Sequence, residues 1–271
     1  GQPPVAQRTT YNAAGQAFKV ETGNVTDQSD AAFAAFTPAV ETTTTYDAYG
    51  RPIRAENKVG GTTYAVVQQN YDAQGRPDCV AVRMDPAVWN TQTDACLPQT
   101  TGADGPDRIS KTAYNAADEV TGVTTALGTS AVATETTSYT ANGKVQNVKD
   151  GEGNLTSYEY DGHDRLKKAR FPVLTAGANA SSATDYEELT YNANSAVTIK
   201  RLRDGSTIAN SYDNLGRLTA YTPSGEAQQT LQYNLVGDLT LLQTFGITGS
   251  VSRTINAVGQ LKSETQPFGS A

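Results

Sequence analysis

Hydrophobic and polar residues alternate in short runs along much of this chain, and turn residues separate the runs. Clear examples are 155–160 (LTSYEY) and 216–221 (GRLTAY). Alternation with a period of two is typical of a β-strand. Helical spacing is confined to 29–36, where Phe33 and Phe36 follow an Ala-rich start. The pattern predicts an all-β protein with one short helical insert within 29–40.

A turn motif recurs ten times. Its first position is an aromatic or aliphatic residue, its second is usually Asp or Asn, and its third and fourth vary. The fifth is usually Gly, and a polar residue often follows. The copies begin at Tyr11, Tyr46, Tyr71, Tyr114, Tyr139, Tyr160, Tyr191, Tyr212, Tyr233 and Ile255. Their fifth position is Gly at Gly15, Gly50, Gly75, Gly143, Gly216, Gly237 and Gly259. The copies at 191, 212 and 233 lie 21 residues apart. That length suits a hairpin of two strands and two turns.

The motif has a physical reason at each position. Asp or Asn opens a turn by bonding the backbone two residues on, and Gly supplies a positive φ at low steric cost. The Tyr ends one strand and a following aliphatic residue begins the next. Since isolated hairpins are marginal in water, we expect them to stack into one long antiparallel sheet. The Tyr would form a ladder of cross-strand aromatic contacts, each contributing about 0.2–1 kcal/mol. The alternative role for these Tyr is a carbohydrate-stacking surface.

The segment Val148 to Leu166, with Tyr158-Glu-Tyr160-Asp161 and Arg165, resembles the Rhs/YD-repeat family. That family includes Rhs polymorphic toxins, Tc toxin B/C components, and teneurin-like and wall-associated YD-repeat proteins. Asp164 departs from the pattern, because the family usually has Gly there. The resemblance implies a curved or spiralling β-strip that encloses a toxin-type cargo in a hollow shell. Family shells usually need several hundred residues, so we expect these 271 to be a fragment of a larger protein.

Composition and charge narrow the possible functions. Apolar residues are 37% and charged residues 18%, which predicts a thin core and a sheet with a wet face. The net charge of −7 comes without a basic stripe, which argues against nucleic-acid binding. The longest apolar stretch, 31–40, contains Pro38 and is too short to span a bilayer. The only His, His163, lies at a variable turn position. We therefore predict no enzyme activity, cofactor or metal.

Cys79 and Cys96 lie in a long insert, 78–108, between the Tyr71 and Tyr114 copies. Two cysteines in an expected exported protein predict a disulfide. Closing a 17-residue loop would stabilise by about 3 kcal/mol. The insert, which also holds Trp89, would cap an edge or cover one face of the sheet. Its alternative role is an interaction loop.

These features predict a single YD-repeat β domain over 1–271, acting as a structural scaffold that shields or presents another domain. We expect it to be exported, extracellular or on the cell surface. Expected partners are other segments of the same Rhs-type protein, a cargo domain or copies of itself. Two alternatives remain: an adhesion or carbohydrate-binding module, and a structural polymer that assembles through open sheet edges.

Overall fold

The computed structural model describes residues 4–244, 250–256 and 259–266. The chain divides into two compact units, 1–137 and 138–271. The predicted single domain over 1–271 stays a prediction, and each unit is described by itself. The strands that begin in the first unit are β1 Val5–Tyr11, β2 Ala17–Asn24, β3 Val40–Tyr46, β4 Pro52–Val59, β5 Thr62–Tyr71, β6 Pro77–Arg83, β7 Arg108–Tyr114, β8 Val120–Thr125 and β9 Ala133–Tyr139.

The second unit contains the remaining strands. They are β10 Val145–Lys149, β11 Leu155–Tyr160, β12 Leu166–Pro172, β13 Ser181–Tyr191, β14 Val197–Arg201, β15 Thr207–Tyr212, β16 Leu218–Pro223, β17 Gln229–Tyr233, β18 Leu239–Thr244, β19 Ser250–Ile255 and β20 Leu261–Thr265. Within each unit every strand pairs antiparallel with the next along the chain. The predicted fold class, an all-β antiparallel sheet of repeated hairpins, is confirmed.

All ten copies of the turn motif connect an odd-numbered strand to the next even-numbered one. In an antiparallel meander such connections all lie at the same end of the strands. Each unit therefore carries its motif turns along a single edge, the one formed by these strand ends. The Tyr faces the first residue of the following strand, as in Tyr191↔Val197 and Tyr212↔Leu218. A register shift immediately precedes each of these Tyr. The opposite edge holds the connections of variable length.

Two of these variable connections are long. The first, 25–39, contains the helix α1 (Asp30–Ala34), whose N-cap Ser29 accepts a hydrogen bond from the amide of Ala32. This connection packs closely on β2, because a Cβ at Gly23 would lie 2.6 Å from the carbonyl oxygen of Thr37. The Phe33 and Phe36 rings stack with centroids 6.1 Å apart.

The second long connection, 84–107, is shorter than the predicted insert of 78–108. Residues 78–83 belong to β6, and Arg108 begins β7. The strand extends because Cys79, Ala81 and Arg83 alternate onto its buried face. A one-turn 3₁₀ helix lies at Pro86–Val88.

The units differ in their cores. In the first unit the insert 84–107 packs over the sheet and buries Val66, Ala81, Ala95 and Ile109, each at most 1% exposed. In the described part of the second unit, Ala220 is the only buried residue.

Candidate functional site

The motif turn is built by an Asp that holds both the backbone and an Arg side chain. In the copy at Tyr46, the Asp47 Oδ1 accepts hydrogen bonds from the amides of Tyr49 and Arg51, both at 2.9 Å. Its Oδ2 accepts from the Arg51 Nε at 2.8 Å. The same Asp–Arg pair recurs in three more copies: Asp72/Arg76, Asp161/Arg165 and Asp213/Arg217. The hydrogen bond from Arg165 is the main cause that lowers the pKa of Asp161 to about 2.

The fifth motif position adopts a positive φ whether or not it is Gly. Gly50 has φ +80° and Gly216 has φ +78°. Asp118, Asp164 and Ser195 occupy the same position with φ between +58° and +63°. These three residues adopt a left-handed conformation that costs about 1–2 kcal/mol for side chains other than Gly. The turn geometry, and not the residue type, therefore sets the backbone at this position.

The motif Arg also links its own hairpin to the next one. Its guanidinium lies over the Tyr ring of the following copy, with the central carbon 4.3–4.8 Å from the ring centroid. The pairs are Arg51–Tyr71, Arg76–Tyr114, Arg165–Tyr191 and Arg217–Tyr233. Such cation–π contacts contribute about 0.5–1 kcal/mol at exposed sites. At these four steps the ring's neighbour is a guanidinium, where the sequence led us to expect another aromatic ring.

The Tyr hydroxyl makes a second link between hairpins. It donates to the carbonyl of the first residue of the preceding even-numbered strand, at 2.7–3.0 Å. The pairs are Tyr46–Ala17, Tyr71–Pro52, Tyr160–Val145, Tyr191–Leu166, Tyr212–Val197 and Tyr233–Leu218. A phenol that is partly buried needs such a partner. We call these Tyr–carbonyl and Arg–Tyr contacts the edge ladder of each unit.

A row of ion pairs crosses β1 to β4 in the first unit. Glu21, with only 4% of its side chain exposed, is 2.8 Å from both the Arg8 Nε and the Lys19 Nζ. Lys19 also pairs with Glu41 at 2.9 Å, and Glu41 lies 3.5 Å from Lys58. Hydrogen bonds from Arg8, then from Lys19, lower the pKa of Glu21 to about 2. The two cations pair the buried carboxylate of Glu21, which would otherwise be a buried charge without a partner.

Cys79 and Cys96 lie together in the structure, with their Sγ atoms bonded at 2.08 Å. Asp78 is adjacent, its Oδ2 3.4 Å from the Cys96 Sγ. These three residues are the one group of metal-ligand type that the described residues bring together. Because a metal is bound by thiolates, a bonded Cys pair leaves only a single carboxylate. The disulfide itself stays a prediction about the protein's chemistry, tested below.

The most buried polar group of the first unit was missed from the sequence. The Arg83 side chain is 0% exposed and donates to Asp107 at 2.7 Å and to the carbonyls of Leu97 and Asp94 at 2.7 and 2.6 Å. Its Nε also donates to Gln68. Arg83 thus ties the insert to β5 and β6. Side chains alternate between the two faces along β6, so counting from Cys79 and Ala81 would have placed Arg83 on the buried face.

His163 lies in its turn, exposed, and its backbone amide donates to Asp161 Oδ1. The prediction that the chain holds no catalytic or cofactor-binding residues stays a prediction. In the described residues, no helix has the length and apolar character needed to cross a membrane.

Residues 139–172 match the family model described as RHS Repeat. The match runs from Tyr139, the last residue of β9, to Pro172 at the end of β12 and includes the segment 148–166. The resemblance to the Rhs/YD-repeat family is thereby confirmed, and the chain contains an RHS repeat. Together with the edge ladder, this match supports a structural RHS-repeat scaffold. No curated protein matches the chain.

Several solved structures of Tc toxin proteins are similar over most of this chain. TcdB2–TccC3 without its hypervariable C-terminal region is 14% identical over 95% of this chain, with a TM-score of 0.47. A Photorhabdus luminescens Tc holotoxin pore that carries a TccC3 mutation is 13% identical over 95% of this chain, with a TM-score of 0.48. This chain spans 15% of the length of each of those two chains.

Proposed function

We propose that this chain is a wall segment of an exported RHS-repeat protein. Its hairpins would form part of a hollow β-shell that shields or presents another domain, of the toxin-cargo type. The edge ladder is the observation that carries this proposal. Within each unit it ties successive hairpins together at the same sheet edge, from Tyr11 to Tyr114 and from Tyr139 to Tyr233, which is what a long wall requires.

The mechanism of such a wall is steric. A paired antiparallel sheet satisfies its backbone hydrogen bonds internally, so neither solvent nor a protease reaches a domain behind it through the sheet. The repeat Tyr, Asp, Gly and Arg residues then have structural roles. The expected partners of this chain are other segments of the same protein or a cargo domain.

The disulfide between Cys79 and Cys96 fits the same proposal. Disulfides persist in oxidising surroundings outside the cytosol, and this pair would fasten the insert 84–107 to β6. An extracellular or cell-surface location follows from that reasoning.

The carbohydrate-binding alternative is less well supported by the repeat Tyr. Six of their hydroxyls donate to backbone carbonyls, and four rings lie against guanidinium groups. These Tyr are therefore occupied by the scaffold itself.

Cryo-electron microscopy of the protein as isolated from its source, without proteolytic trimming, tests the proposal. We expect a closed hollow particle with the chain in its wall and further density inside. Proteolysis of the same sample should leave the inner domain intact. An open strip, or a filament in which strand edges pair between copies, would overturn the shell and support the self-assembling polymer instead.

A further inference from the structure

A hollow of about 340 Å³ opens on the first unit between β5, β6 and the insert 84–107. Its lining includes two aromatic residues, Tyr64 and Trp89, the flexible side chain of Met84 and the carboxylate of Asp104. The volume is within the usual range of small-ligand sites. No part of the edge ladder lies in this hollow.

The charge in the hollow is unbalanced. Asp104 is exposed and makes no hydrogen bond or ion pair in the described residues. Arg83 borders the same hollow, but its guanidinium already donates hydrogen bonds to Asp107, Gln68 and two carbonyls. The ring of Tyr64 is 55% exposed and carries no cation over its face in the described residues. The hollow therefore presents a free carboxylate beside aromatic surface, in a chain of net charge −7.

The same two groups hold a guanidinium elsewhere in this protein. In the repeat turns an Asp carboxylate and a Tyr ring clamp an Arg between them. Arg165 shows the arrangement, with its Nε 2.8 Å from Asp161 and its central carbon 4.4 Å from the Tyr191 centroid. The hollow offers a carboxylate, from Asp104, and one exposed aromatic ring, that of Tyr64, without a guanidinium between them.

We propose that this hollow binds an arginine side chain supplied by a partner protein. The guanidinium would donate hydrogen bonds to Asp104 and lie against the exposed ring of Tyr64, while its aliphatic stem would pack on Met84. Trp89 is only 9% exposed and its Nε1 donates to the Arg83 carbonyl, so it borders the site without offering a stacking face. Arginine fits better than lysine, because the guanidinium is planar, is weakly hydrated and stacks on aromatic faces. This binding site is separate from the proposed wall function.

One internal residue competes for the same role. Arg108 lines an adjoining cavity of about 450 Å³ that Asp104 also borders, yet it forms no ion pair with Asp104 in the described residues. A variant at Arg108 therefore belongs in the test.

Titration of the full chain with N-acetyl-arginine amide tests the proposal, with Trp89 emission as the reading because Trp89 is the only Trp. Calorimetry on the same samples registers binding that leaves the emission unchanged. N-acetyl-citrulline amide is the neutral control of nearly the same shape, and N-acetyl-lysine amide is the charged one. We expect saturable binding of the arginine compound, at least about tenfold tighter than that of the citrulline compound. Citrulline keeps N–H donors for Asp104 but lacks the positive charge that both the ion pair and the contact with the Tyr64 ring require.

Asp104→Asn should weaken arginine binding by about tenfold, whereas Glu226→Gln, which removes an exposed charge in the second unit, should leave it unchanged. Far-UV circular dichroism checks that both variants fold. Equal binding of arginine and citrulline compounds, or of arginine and lysine compounds, would overturn the proposal, as would no binding by either method. Binding that emerges only in Arg108→Gln would show that Arg108 fills the hollow itself, which also overturns it.

Discussion

The first and second units carry the same repeat, but different contacts hold them. In the first unit the insert 84–107 covers β5 to β7 and buries Val66, Ala81 and Ile109 around the paired Arg83. The described part of the second unit has one buried residue, Ala220. Both units have an edge ladder. In the second unit it stands without a covering insert, and Tyr160, Tyr191, Tyr212 and Tyr233 each donate to a carbonyl of the preceding hairpin.

The difference shows that a repeat can form a sheet without a deep core. Each ladder contact is local and contributes about 1 kcal/mol or less, so stability in the second unit is a sum of many small steps. The first unit adds a few buried groups whose loss costs several times more. Four predictions, taken from the largest expected effect to the smallest and each followed by its control, test this account.

Arg83→Ala should have the largest effect. It leaves the buried Asp107 carboxylate without its positive partner, with only the amides of Met84 and Gln99 still donating to it. Removing one partner of a buried ion pair costs about 3–5 kcal/mol. Urea unfolding followed by Trp89 emission measures this loss in the first unit.

Arg217→Ala is the matched control in the second unit. Its ion pair with Asp213 is partly exposed, and its contact with the Tyr233 ring is lost as well, so about 1–2 kcal/mol should be lost. Hydrogen exchange near Tyr233 reports this variant. Equal losses for the two arginines would remove the distinction between a buried network and an edge ladder.

The double variant Cys79→Ala/Cys96→Ala should lose about 3 kcal/mol, because the disulfide shortens a 17-residue loop in the unfolded chain. The measurement is again urea unfolding followed by Trp89 emission, and the quantity compared is the urea concentration at the midpoint of the transition. Reducing agent should lower the wild-type midpoint and leave that of the double variant unchanged. A wild-type midpoint that does not respond to reduction would mean that the two thiols are not bonded in solution.

The repeat was predictable because it depends on local chemistry. The Asp after Tyr46 and the Gly at 50 specify their turn within five residues, so the hairpins and their spacing follow from sequence alone. Partners distant in sequence were not predictable in the same way. Nothing local shows that Arg165 lies on the ring of Tyr191, or that the Tyr191 hydroxyl donates to Leu166.

The insert shows the same limit more strongly. A disulfide between Cys79 and Cys96 could be predicted from the sequence, because they are the only two cysteines. Arg83 could not be assigned to Asp107 and Gln68, since its partners come from a loop and a neighbouring strand. The hollow that Asp104 shares with Tyr64 of β5 also forms only once the insert folds over β5 and β6.

Tyr191→Phe should lose about 1 kcal/mol, because it removes the hydroxyl that donates to Leu166 at 2.7 Å and keeps the ring under Arg165. Tyr158→Phe is the control, since the Tyr158 hydroxyl makes no hydrogen bond in the described residues. Hydrogen exchange of the backbone amides in β12 and β13 measures the effect of both variants. Equal effects would show that the hydroxyl bond to the preceding hairpin contributes nothing specific.

Asp164→Gly should have the smallest effect and the opposite sign, a gain of about 0.5–1 kcal/mol. Asp164 has φ +58°, which Gly adopts at less cost, and the contact it loses with Asn142 is exposed. The reciprocal Gly216→Asp, at φ +78°, should lose stability. Thermal unfolding of both variants gives the two signs, and a loss in Asp164→Gly would contradict the argument from backbone strain.

Native-state hydrogen exchange of the whole chain, read by mass spectrometry, tests the comparison between the units most directly. The account predicts that the slowest amides lie in β5, β6 and β7, around Val66, Ala81 and Ile109, and that the strands of the second unit exchange faster and at similar rates. Slowest exchange in the second unit, or equal protection in both, would contradict it.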